Sequence, residues 1–103
     1  MRVHFAPSAR DDLRAIGEHI TQGNPVRALS FVEELVEVAM RLADNPRRFP
    51  LRPELGRDFR VRFYRNYAII YRIDLGQVSV IRISHAARDL ELLMGLDRKN
   101  GDG

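Results

Sequence analysis

Apolar and polar positions follow two periods along the chain, and each stretch predicts an element. Val3 and Phe5 alternate with Arg2 and His4, the pattern of a short first strand. Ala9, Leu13, Ile16 and Ile20 then recur at helical spacing to about Gln22. Ser8 is the expected N-cap of this helix, with Asp11 in a capping-box position and Asp12 beside the positive helix end. Gly23 stops the helix, and Asn24-Pro25 starts another, Asn as N-cap and Pro at the first helical position. Ala28, Val32, Leu35, Val36, Ala39, Leu42 and Ala43 form a broad apolar stripe, while Arg27, Glu33, Glu34, Glu37 and Arg41 face outward. So short a connection makes the two helices antiparallel neighbours. Asn45-Pro46 ends the pair, and the Pro- and Arg-rich stretch to Gly56 reads as a loop.

Three strands are predicted after it, over 59–63, 67–73 and 78–84, rich in β-branched and aromatic residues. Tyr64-Arg65-Asn66 and Asp74-Leu75-Gly76 each suit a three-residue hairpin loop whose last member is left-handed. Those loops pair Phe63 with Tyr67, Val61 with Ile69, and Ile69 with Ile81. One face then carries Phe59, Val61, Phe63, Tyr67, Ile69, Tyr71, Ile81 and Ile83 beneath the helices. A two-residue Arg65-Asn66 turn would aim Arg62 at Ile69 and mix the faces, and is disfavoured on that ground. The opposite face is expected to bear Arg60, Arg62, Arg72 and Arg82 among Ala68, Ile70, Val78 and Val80. Such a surface suits an amphipathic, acidic partner segment. The fold class is α+β: a two-helix hairpin on one face of a small antiparallel sheet, in the order β-α-α-β-β-β with a short C-terminal segment.

Length and charge sharpen this picture. The 103 residues fit one domain, expected over 1–96 with a polar tail over 97–103. With no cysteine there is neither a disulfide framework nor a thiolate metal site. No apolar run is long enough for a membrane span, and the N-terminus lacks a signal-peptide core, so a cytoplasmic location is expected. Residues 1–46 hold five Arg against seven acids, whereas residues 47–65 hold seven Arg against two. The net charge of +3 therefore conceals a basic central segment built from arginine, a residue shaped for carboxylates and phosphates.

The order of elements and several local blocks resemble the ParE/RelE superfamily of toxin–antitoxin toxins. The blocks are Pro7 to Leu13 with Ile16 and Ile20; Asn24-Pro25 with Ala28 and Phe31; Leu42 with Pro46; Tyr67-Ala68-Ile69-Ile70-Tyr71-Arg72; and Val80 through Asp89. The last, ending His85-Ala86-Ala87-Arg88-Asp89, is the most specific and is similar to ParE-like members. The resemblance spans about residues 2–94. It implies the toxin of a type II system, neutralised by a ParD-like antitoxin with a ribbon-helix-helix DNA-binding half, so that DNA is met only through the antitoxin. Similar ParE toxins act on DNA gyrase, while RelE-like ones cut mRNA on the ribosome.

The residues favour the first. RNA cleavage needs a base, an acid and cationic stabilisation of the transition state. RelE-like nucleases commonly carry lysines where this chain has Arg60 and Arg62, and an arginine where it has Ala68. Arginine is a poor base, Ala68 carries no charge, and no aromatic residue follows Tyr71. A nuclease would have to use Arg60, Arg62, Arg82 and His85; strand parity instead sends His85 to the helix-packed side, where fixing the end of the strand is its expected task. An inactive toxin homologue is the third alternative. Expected antitoxin contacts are Arg60, Arg62, Ile70, Arg72, Val80 and Arg82, and weaker candidates for target contact are Arg57, Arg65 and Arg88. No metal or cofactor is expected, because His4 and His19 have no clustered acidic partners.

Overall fold

The computed structural model describes residues 1–21 and 23–85. Strand β1 (Arg2–Phe5) leads into helices α1 (Pro7–Thr21) and α2 (Pro25–Met40), followed by strands β2 (Arg60–Tyr64), β3 (Tyr67–Asp74) and β4 (Gln77–His85). Single 3₁₀ turns occupy Arg41–Ala43 and Pro53–Leu55. The β-α-α-β-β-β order is the one the apolar periods predict. Sheet order is β1-β4-β3-β2. The meander β2-β3-β4 is antiparallel, but β1 joins β4 in parallel, so the sheet is mixed rather than antiparallel throughout. The helix pair supplies the long connection that a parallel return requires.

Asn24 caps α2 as expected, its Oδ1 accepting from the Arg27 N–H at 3.1 Å, with Pro25 in the first turn. Helix α1 starts differently. Pro7, which has no N–H to leave unpaired, opens it, and Ser8 is not its cap. Because β1 pairs only with Gln77 to Val80, the rest of that β4 edge needs other partners. Ser8 Oγ donates to the Ile81 carbonyl at 2.7 Å, and Asp12 Oδ2 accepts from the Ile83 N–H at 2.9 Å. The side chains read as a helix cap therefore close a strand edge.

Both hairpin turns are one residue shorter than expected. Tyr64 pairs with Tyr67, Arg62 with Ile69, and Arg60 with Tyr71 across the two-residue turn Arg65-Asn66. Asp74 pairs with Gln77 across Leu75-Gly76. A bulge then inserts Ile81, so that Tyr71 faces Val80 but Ile69 faces Ile83. Burial explains this register. Ile69, Tyr71, Val78, Val80 and Ile83 form the main core with Ala9, Ile16, Phe31, Leu35, Ala39 and Leu42. Val61, Ala68 and Ile70 form a second cluster on the other side, with Leu55 and Phe59 packed against it. The sequence reading assigned β3 one buried face, whereas its apolar run is buried on two.

The turns leave Arg65 at φ 52°, Leu75 at φ 51° and Gly76 at φ 73°. Leu75 is also 95% exposed, so its side chain offsets none of the left-handed cost. Leu75→Asn gives an Asn-Gly turn and should raise stability by about 0.5–1 kcal/mol. Urea denaturation checks this; a destabilised Leu75→Asn would contradict the turn geometry.

Candidate functional site

The four arginines expected on one open face are divided among three places. Arg60 and Arg62 lie in register with Tyr71 and Ile69, and therefore on the helix-packed side, at the free edge of β2. Arg60 donates to the carbonyls of Phe49 and Arg47, tying the loop before β2 to the sheet. The Arg62 guanidinium stacks 5.4 Å from the centroid of the Phe49 ring, and Arg48 stands 5.5 Å from it. Arg72 lies on the other side, 5.8 Å from the Phe59 centroid and 3.6 Å from the Asp74 carboxylate. Arg82 is held at the β4 edge by both Asp12 oxygens, at 2.8 and 3.1 Å. Val80 is fully buried in the main core and Ile70 is only 4% exposed in the second cluster, so neither forms a surface floor. The expected six-residue antitoxin face is not present as a surface, because the shorter turn and the bulge change which residues share a side.

The alternative nuclease residues are not brought together either. His85 lies opposite Tyr67, their rings 5.6 Å apart and edge-on, on the helix-packed side that strand parity predicts. It lines a cleft of ≈ 390 Å³ with Asp12, Ile16, His19, Tyr67 and Ile83. Arg60 is committed to loop carbonyls and Arg82 to Asp12, so those guanidiniums do not converge on the imidazole. Among the described residues no group of three or more His, Cys, Asp or Glu side chains could hold a metal ion. Of the candidates for target contact, Arg57 is almost fully exposed beside Asp58, Arg65 lies 3.7 Å from Glu34, and Arg88 lies outside the described residues, as do 86–96 and the 97–103 tail.

Two surface features were missed by the sequence reading. One is a polar knot between α2 and the β2-β3 turn. Tyr64 donates its hydroxyl proton to Glu34 Oε1 at 2.6 Å, Arg27 donates to Oε2, and Arg65 Nε donates to the Tyr64 hydroxyl at 3.4 Å. Arg27, Phe31 and Glu34 follow one helix face at helical spacing, which was the available signal. The other feature is an apolar groove of ≈ 480 Å³ between α1 and α2, on their outer surface, lined chiefly by Leu13, Gly17, Pro25, Ala28, Leu29 and Val32. Gly17 forms part of its lining, where an added Cβ would sit in ordinary contact with Val32 Cγ2 at 3.4 Å. Val26 and Leu29 remain 82% and 66% exposed.

A two-helix hairpin against a four-stranded mixed sheet is the arrangement this chain shares with solved chains of toxin–antitoxin systems. The family of ParE toxins of type II toxin–antitoxin systems matches residues 3–90, and the chain belongs to it. No curated relative matches. Among solved structures, a chain of the chromosomal ParDE system from P. aeruginosa superposes with a TM-score of 0.73 at 23% identity, covering 82% of this chain and 95% of that one. A chain of the toxin–antitoxin complex RelBE2 from Mycobacterium tuberculosis superposes with a TM-score of 0.60 at 29% identity, with the same coverage. No helix among the described residues is long and apolar enough to cross a membrane.

The polar knot has a pH signature. The Tyr64 hydrogen bond, then the Arg27 hydrogen bond, hold the Glu34 carboxyl below its ordinary range. A depressed folded-state pKa contributes stability that is present above the unfolded carboxylate range, near about 4.3, and lost as pH falls through the folded value. Stability of the native chain should therefore fall more steeply with acid than that of Glu34→Gln. Parallel acid profiles in urea titrations would contradict the linkage.

Proposed function

We propose that this toxin acts by binding its target, that DNA gyrase is that target, and that a protein antitoxin holds it inactive. The observation that carries the reading is the dispersal of Arg60, Arg62, Arg82 and His85. All three of these guanidiniums are engaged by backbone carbonyls or a carboxylate, and no shared reaction centre forms among the described residues. An in-line cleavage needs its acid, base and cation within hydrogen-bond reach of one phosphate. Membership of the ParE family supports the same choice.

The antitoxin in this reading is ParD-like, with a ribbon-helix-helix half that meets DNA and an amphipathic segment that covers the toxin. The groove between α1 and α2 suits the apolar side of that segment, since Leu29 lines it while largely exposed. Leu29→Glu leaves the buried core untouched, so the toxin should still fold. Its affinity for the cognate antitoxin should fall by about 1.5–3 kcal/mol, roughly the transfer energy of the lost apolar contact. Calorimetry with the co-expressed antitoxin measures this, and unchanged affinity would remove the groove from the interface.

Induction of the chain in cells tests the target. Relaxed supercoiling and a DNA-damage response with intact transcripts are the expected result. Cleaved mRNA would instead assign a ribosome-dependent endoribonuclease, and normal growth an inactive homologue.

A further inference from the structure

The distribution of uncompensated charge singles out one cleft. Among the described residues, eight arginines lie within 3.8 Å of a carboxylate. The remaining six are Arg2, Arg10, Arg47, Arg48, Arg60 and Arg62. Four of those six meet where the loop after α2 runs back along β2. Arg60 fixes that loop through the Phe49 and Arg47 carbonyls, and Arg48 and Arg62 both stack on the Phe49 ring. Beside them opens a cleft of ≈ 270 Å³ with Val38, Leu42 and Asn45 in its wall. Arg41 also lines it but is already paired with Glu37 at 2.6 Å, and Asp44 stands on the rim without an arginine within ion-pair distance.

We propose that this cleft receives an acidic side chain of a protein partner, an Asp or Glu flanked by an apolar residue that packs on Val38 and Leu42. The inference rests on the reading of the chain as a binder of protein. Guanidinium forks match carboxylates in two-point hydrogen bonds, and stacking on Phe49 positions the Arg48 and Arg62 groups before the partner arrives. Arg62 also donates to the Phe63 carbonyl, and neither group has a carboxylate to displace. A nucleic-acid strand fits less well. The cleft takes one side chain rather than a run of phosphates, and most other described arginines are already paired with carboxylates, leaving no continuous basic track among the described residues.

The test is a titration of the isotope-labelled full chain, reading the Nε–H resonances of Arg48 and Arg62. A short peptide of alternating Leu and Glu should shift both in a saturable way, whereas its Leu-Gln counterpart and inorganic phosphate should not. The double variant Arg48→Gln/Arg62→Gln should bind the Leu-Glu peptide about tenfold more weakly, the loss of one charge-assisted two-point contact. Arg2→Gln/Arg10→Gln removes the same charge elsewhere and should leave that affinity unchanged. Equal losses in both variants would reduce the effect to net charge and overturn the site. So would absent shifts, or tighter binding of oligouridylate at the same resonances, which would assign the cleft to nucleic acid. None of these readouts depends on toxicity or antitoxin, so loss of the gyrase reading and loss of this site are separate results.

Discussion

Strand β3 is buried from both sides, and that single constraint orders the rest of the molecule. Ile69 and Tyr71 sit under the helices, while Ala68 and Ile70 sit under Leu55, Phe59 and Val61. A strand with two apolar faces cannot slide by one residue without exchanging the two clusters, so the turns on either side must have the length that keeps each cluster whole. That need places Arg65 and Leu75 in left-handed conformations that neither residue favours. Tyr71 completes the constraint. Its ring is fully buried in the main core and its hydroxyl donates to the Pro46 carbonyl at 2.7 Å, anchoring the loop that leads to β2. Burial pushes the Tyr71 hydroxyl pKa up, so this bond is kept through the neutral range.

The same register decides what the arginines can do. By turning Arg60 and Arg62 toward the helices at the sheet edge, it separates them from Arg72 and from Arg82, which Asp12 holds at the opposite side of the meander. A concentrated catalytic surface becomes a set of local anchors: loop to strand through Arg60, helix to strand edge through Arg82, helix to hairpin turn through Arg65. Among the described residues, Arg60, Arg65 and Arg82 spend their charge fastening one element to another. Among the described residues, an apolar groove on the hairpin and a basic cleft beside Phe49 stay open to a visitor, a combination that suits protein recognition.

Element types, their order and the antiparallel helix pair were legible in the sequence, because helical spacing and the Gly23-Asn24-Pro25 break are local signals. The register was not. Alternation along Phe59 to Phe63 looked like one buried face, and nothing local announces that Pro53 to Leu55 folds back as a lid over the other. Ser8 was read as the N-cap of α1 and Asp12 as favouring its positive end, both local signals; their use at the β4 edge depends on β1 ending early, a non-local fact. Glu34 was read as a solvated residue because its partner, Tyr64, is thirty residues away. The family resemblance was read correctly from blocks of residues, whereas the site was derived from a register that the bulge at Ile81 and the shorter turns displaced.

The central claim is that two-residue turns and two-sided burial of β3 divide the arginines. Cross-strand Hα–Hα contacts measured by nuclear Overhauser spectroscopy test it most directly, since only non-hydrogen-bonded pairs approach closely enough. The account predicts strong contacts from Val61 to Ile70 and from Phe63 to Ala68. Contacts from Arg62 to Ala68 and from Arg60 to Ile70 would restore the longer turn, return Arg60 and Arg62 to the face of Arg72, and contradict it.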